Sequence, residues 1–167
     1  MGVTLEILNK EDLEYIRIEK NKIKGSWRTP FLLTKEMQYD YYNDVVSNRN
    51  SNNRIFGICA DGKLVGTTGI SHIEWENRLG EITMFVIQTG KGYGKEALKL
   101  ILDYAFDELN LENVYGECYE CNNSIDFWKK MEPSYTTILP ARKYHGGYYW
   151  NSLYFSFNKE IYDENND

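Results

Sequence analysis

The stretch from Glu81 to Tyr119 constrains the fold more than any other part of the chain. EITMFVI (81–87) is a short apolar run of β-formers, QTGKGYGK (88–95) is a glycine turn, and Ala97, Leu98, Ile101, Tyr104, Ala105 and Leu109 then recur at helical spacing. NVYGECYE (113–120) reads as a strand again. A strand, a helix over 94–109 and a second strand over 113–119 predict a parallel, right-handed βαβ crossover, so the chain must contain a sheet with a helix lying on it.

The flanking segments extend that sheet on both sides. VTLEIL (3–8) alternates like a half-buried strand, and Asn9 with Asp12 three residues on marks a helix start, with Leu13, Ile16 and Ile23 carrying the period to Gly25. Gly25 and Pro30 break that helix in a loop holding Trp27, Arg28 and Phe31. A second helix is expected from Thr34 through Met37, Tyr41 and Val45 to the turn at 51–53. RIFGICA (54–60), the Asp61-Gly62 dipeptide, KLVGTTGISHIEW (63–75) and a turn at 76–80 predict an antiparallel meander into the strand at 81. A short helix over 122–130, strands at YTTIL (135–139) and GYYWNSLYFSF (147–157), and an acidic tail over 159–167 expected to fray complete the order. The expectation is one domain over 1–158 of α/β class (an α+β mixed sheet), in the order β-α-α-β-β-β-α-β-α-β-β.

The glycine turn is also the best candidate site. Gly90, Gly92 and Gly94 allow close backbone approach, the helix start behind them offers free N–H groups, and Lys91 and Lys95 add positive charge, which together suit a phosphate or pyrophosphate. A turn needing only its dihedrals would use one glycine. No P-loop string is present. Gly92 to Ala97 does match G-x-G-x-x-[GA], with Glu117 or Glu120 as a ribose acid, so a dinucleotide-dependent oxidoreductase is an alternative, but a meander precedes the strand and a single βαβ unit follows.

Thr89 to Gly94 resembles the acetyl-CoA loop, [QR]-x-x-G-x-[GA], of the Gcn5-related N-acetyltransferases, the GNAT family. The resemblance extends from Val3 to Phe157. EITMFVI, GKGYGKEALKLILDYAFDELNLENV and CNNSIDFWKK resemble the branch with ribosomal-protein N-terminal and amino-sugar acetyltransferases. It implies a GNAT-like fold and transfer of acetyl from acetyl-CoA to a primary amine of a small molecule, an amino sugar or a protein N-terminus, by direct attack in a ternary complex. It also implies that Glu81 is the base, that backbone groups at Phe85 and Val86 receive the pantetheine and thioester, and that Asn122 joins Gly90, Lys91, Gly92, Tyr93, Gly94 and Lys95 in holding CoA. His72, Glu74 and Glu76 are alternative bases on the preceding strand. Trp128 stands where many relatives have a tyrosine that protonates the thiolate, and an indole N–H does not serve as that acid. Tyr119 is nominated instead, with Tyr135 behind it. The acceptor is expected to meet Trp27, Arg28 and Phe31, with Arg28 suited to a carboxylate or phosphate and Tyr148 to Trp150 as further candidates. A non-catalytic CoA-binding module is the other reading of the same loop.

Composition narrows the partners. The 167 residues carry 19 Lys and Arg against 25 Asp and Glu, a net −6 with the cations scattered, which argues against nucleic acid and would attract a cationic amine around a pocket. No apolar run reaches membrane-spanning length and MGVTLEILNKEDLEY lacks the blocks of a signal peptide, so a cytoplasmic protein without a membrane partner is expected. Cys59, Cys118 and Cys121 suit a reducing compartment, and with His72 and His145 they make no metal-spaced set, so no metal is expected. The aromatic final strand makes a homodimer conceivable.

Overall fold

The computed structural model describes residues 2–23, 28 and 30–166. Seven strands form one mixed sheet in the order β1-β2-β3-β4-β5-β7-β6. These are β1 (Val3–Glu6), β2 (Arg54–Ala60), β3 (Lys63–Glu74), β4 (Leu79–Val86), β5 (Asn113–Tyr119), β6 (Tyr135–His145) and β7 (Tyr148–Asn158). All neighbours run antiparallel except β4 and β5, the parallel pair expected from the crossover. The helices are α1 (Lys10–Asn21), α2 (Lys35–Tyr41), α3 (Tyr93–Asp103), α4 (Ile125–Lys130) and α5 (Lys159–Asn166).

The period of each element decides which face it covers. On α3, Leu98, Ile101 and Leu102 are buried in one cluster with Ile70, Ile82, Val114 and Phe155 of the sheet, and Ala97 in a second with Val3, Ile58 and Val65. α1 buries Leu13 with Leu8 and Ile55 on the opposite face, where Tyr41 and Tyr42 pack beside them. Asn9 caps α1 in the reciprocal box expected, its side chain accepting from Asp12 N–H at 2.8 Å while Asp12 accepts from Asn9 N–H at 3.0 Å. Both α2 and α3 end in a wider π turn, at Tyr42–Val46 and Tyr104–Glu108.

Three expectations are corrected. The first helix stops at Asn21, and Ile23 is 41% exposed rather than part of its stripe. The acidic tail is a helix, because Tyr162 gives it an anchor: its ring packs on Phe106 and its hydroxyl donates to Asp103 at 2.8 Å. Backbone N–H of Lys159 also donates to Glu112 at 2.9 Å, fastening the start of α5 to the loop before β5. The last hairpin is longer than read, since β6 runs to His145 across a bulge at Ala141, whose φ is +50°.

Candidate active site

The parallel pair sets the site by failing to stay paired. β4 and β5 are in register only at Leu79–Asn113, Gly80–Val114 and Glu81–Tyr115, after which β4 continues along β3 and β5 along β7. The sheet therefore opens between 82–86 and 116–119. A cavity of about 400 Å³ fills the opening, lined by Thr83, Met84 and Phe85 on one side and Cys118, Asn122 and Trp128 on the other. Neither strand's apolar pattern signals where pairing stops, so this feature was not legible in sequence.

Backbone direction within β4 follows from one bond. Ile87 N–H donates to Val65 O at 2.8 Å, and alternation then points the N–H groups of Phe85 and Thr83 at β3 and those of Met84 and Val86 into the opening. Of the two candidates named from sequence, Val86 turns its amide to the opening, whereas Phe85 contributes its ring.

At the mouth of the opening, Gly90 (φ +79°) and Gly92 (φ +83°) adopt the left-handed conformation that disfavours any side chain, and a Cβ on either would meet nothing within 4 Å. The turn is thus a cradle open to solvent. Gly92 caps α3 with no side-chain bond, and Gly92 O receives Lys95 and Glu96 N–H, leaving the helix start directed at that space. Gly94 has a different reason for being glycine: a Cβ there would come within 3.2 Å of the Phe127 ring, so α3 packs tightly on the α4 segment. Lys91 on the turn and Lys95 in the first turn of α3 are exposed, while Tyr93 is half-buried against the cluster that holds Val3, Ile58, Val65 and Ala97. Asn122 lines the cavity, its side chain accepting from Ser124 N–H at 2.8 Å ahead of α4. Trp128 is a core residue stacked on Phe155 with centroids 4.4 Å apart.

Alternation places Glu81, Thr83 and Phe85 of β4 beside Tyr115, Glu117 and Tyr119 of β5 on the face toward α1. Glu81 is buried and bonded to two groups, Arg28 and His72, whose Nδ1 lies 3.0 Å away. His72 reaches it because β3 bulges between Ser71 and Glu74, with His72 at φ +51°. The alternative bases Glu74 and Glu76 are exposed at the end of β3 and in the following turn. Arg28 faces no incoming anion: it is taken by the protein's own carboxylates, Glu81 and, at 3.9 Å, Glu117. Glu117 accepts from Arg142 at 2.8 and 3.3 Å and from the Ser152 hydroxyl at 2.7 Å. The Arg142 bond, despite burial, holds the Glu117 carboxyl below the usual carboxylate range.

Tyr119 continues this face. Burial, assisted by Glu117, raises its pKa, and Lys143 Nζ lies 5.6 Å from its ring centre. Tyr135, the second nominee for the acid, is 59% exposed opposite Ser156 at the outer strand and does not line the cavity. Phe31 lines the cavity and is half-exposed, and Trp27 lies outside the described residues. Tyr148 and Tyr149 project from the β6–β7 hairpin and are 71% exposed, and Trp150 donates its indole N–H to His145 O, so these three belong to the hairpin and not to the cavity.

Sequence reasoning missed Glu117 as a cavity group, reading it as a ribose acid, and missed Lys20, Arg142 and Ser152 altogether. Strand alternation would have put Glu117 with Tyr119, but the pairing of β5 with β7 has no local signal. The dinucleotide alternative fails on the fold: the sheet has one parallel pair, and Glu117 lines the cavity, clasped by Arg142. Among the described residues no group of three or more His, Cys, Asp or Glu is arranged to hold a metal ion, and no helix is long and apolar enough to cross a membrane.

A sheet opened at its parallel pair, with a glycine cradle at the mouth of the gap and a carboxylate beside it, is the arrangement of an acyl-CoA acetyltransferase. The family model for the acetyltransferase (GNAT) domain matches residues 3–125, and the chain belongs to that family, whose members are acetyltransferases using acetyl-CoA. Among characterised relatives, the spermidine N(1)-acetyltransferase of Escherichia coli (strain K12) is 27% identical over 158 residues, covering 91% of this chain and 83% of that protein. The fold matches mutant forms of the spermidine/spermine N-acetyltransferase SpeG from Vibrio cholerae with TM-score 0.83 at 21% identity, over 99% of both chains. A dodecameric spermidine N-acetyltransferase from the same organism superposes with TM-score 0.81, also at 21% identity and over 99% of both chains.

Proposed function

We propose that the protein transfers acetyl from acetyl-CoA to a primary amine of a small cationic molecule, of the polyamine class, by direct attack in a ternary complex. The observation that carries this reading is the pair of carboxylates, Glu81 and Glu117, facing one cavity beside the opened strands. The relatives named for spermidine point the same way. An amino sugar or a protein N-terminus offers one cation where this cavity presents two acids.

In this reading the diphosphate of CoA lies on the cradle of Gly90, Lys91 and Gly92 with the N–H groups of Tyr93 and Gly94, and Lys95 adds charge. Asn122 lies along the pantetheine path, and Phe85 closes its acceptor side. Val86 N–H donates to the thioester oxygen and stabilises the charge that develops there. An arriving ammonium displaces Arg28 from Glu81 and Glu117, so Arg28 marks where acceptor charge belongs. Phe31 covers the alkyl chain. Glu81 takes the proton that frees the attacking nitrogen, and His72 at 3.0 Å passes it to solvent. Tyr119, kept protonated by its raised pKa, returns a proton to the thiolate.

The exposed edge residues Tyr135, Ile138 and Tyr144 of β6 support self-association, as in the dodecameric relative. Steady-state kinetics with a panel of diamines, polyamines, amino sugars and peptides tests the acceptor. Preference for a polyamine over monoamines of equal length supports the reading, and equal rates for diamine and monoamine overturn it.

A further inference from the structure

We propose that Lys20 is a self-modification site, its side-chain amine accepting the acetyl group of acetyl-CoA held in the same cavity. The inference rests on the acetyl-transfer reading above. Lys20 lies in the last turn of α1 and lines the cavity together with Glu81 and Phe85. Its Nζ stands 5.6 Å from the Phe85 ring centre, on the face of β4 that the acceptor uses. Among the described residues that line the cavity it is the sole primary amine, since Arg28 carries a guanidinium that stays charged.

Its surroundings also favour the reactive form. Burial lowers the Lys20 pKa because a desolvated ammonium is disfavoured, so a larger fraction of the amine is neutral near pH 7. Lys22 provides the internal contrast in burial: two residues on, its side chain is exposed to solvent. The helix thus turns one lysine into the cavity and leaves its neighbour outside.

The step balances without a further reactant. The Nζ lone pair attacks the thioester carbonyl carbon and forms a C–N bond. The C–S bond then breaks, sulfur leaves with the electron pair, and the proton lost by nitrogen is gained by sulfur. Products are Nε-acetyl-Lys20 and free CoA, and nothing is oxidised or reduced.

The test incubates the full chain with acetyl-CoA and no added amine, at several protein concentrations, and follows acetylation by peptide-resolved mass spectrometry beside a Lys20→Arg variant. The expected result is acetylation of Lys20 at least about tenfold faster than of Lys22 or Lys99, at a rate independent of protein concentration, suppressed by free CoA and abolished in the variant. Lys20 modified no faster than Lys22 and Lys99, in a preparation that acetylates an added polyamine, overturns this inference and leaves the acetyl-transfer reading standing. A protein that acetylates neither overturns both.

Discussion

The two sides of the opened strands are built by different means. On the side proposed for the cofactor, the glycine turn from Gln88 to Lys95 is continuous in sequence, and its shape is set by backbone: two glycines at φ +79° and +83° and a helix start. On the side proposed for the acceptor, Lys20, Arg28, His72, Glu81, Glu117 and Arg142 come from α1, the loop after it, β3, β4, β5 and β6, and each is held by another side chain or a bulge. A backbone cradle suits what is constant in a ligand, in the proposed reading a diphosphate, whereas a side-chain cluster can be changed without disturbing the sheet. Substitutions on one side should therefore leave the other side's ligand nearly untouched.

The sharpest way to break that separation is Glu81→Gln. It removes the proposed base while keeping the shape and the bond to His72, so kcat should fall by about 10²- to 10³-fold with acetyl-CoA affinity unchanged. Single-turnover rates and a thermal-shift titration with CoA read the two quantities separately. A matching loss of CoA affinity would mean the two sides are coupled through β4.

Gly92→Ala is the reciprocal experiment. No atom lies within 4 Å of the added methyl, so its cost is the left-handed backbone, of order 1–2 kcal/mol, together with a methyl on the surface a diphosphate would touch. KM for acetyl-CoA should rise about tenfold with the amine KM unchanged. Gly94→Ala should behave differently, lowering the melting temperature through the Phe127 ring instead of acting on the ligand directly.

Arg28→Ala probes the acceptor side alone. Arg28 is about half exposed and its ion pairs are screened, so removing it leaves Glu81 with His72 and Glu117 with Arg142 and Ser152, and takes one cation from the cavity at little cost in stability. KM for a polyamine should fall about fivefold, and salt should weaken binding more steeply than in the wild type. An increase in KM would mean that Arg28 contacts the acceptor itself.

How much of this was legible in sequence follows the same division. The βαβ crossover, the meander and the cradle each rest on a local period or on glycines at fixed spacing, and each was readable from residues 54–119. The opening of the sheet was not, because Ile82 to Val86 would look the same whether or not β5 followed beside them. Arg28 was read as an anion site from its loop position, since nothing local could say that Glu81 and Glu117, 53 and 89 residues away (81 − 28 and 117 − 28), would converge on it. The tail departs from its reading for a similar reason: its charge suggests fraying, whereas its anchors are long-range contacts, Lys159 N–H on Glu112 and, across 59 residues, Tyr162 on Asp103.

The smallest effect concerns Glu117 and pH. Its folded pKa lies below the ordinary value of 4.5, chiefly through Arg142, so the carboxylate contributes stability that is fully present above about pH 4.5 and is lost as pH falls through the folded pKa. Glu117→Gln removes that contribution. The wild type should melt a few degrees above the variant at pH 7, with the gap closing as pH drops below about 4.5. Arg142→Met should narrow the same gap at neutral pH, because Glu117 then keeps only Ser152 and the distant Arg28. A gap independent of pH would assign Glu117's contribution to packing. The acceptor side would then be held by shape more than by charge, which would weaken the contrast with the glycine cradle.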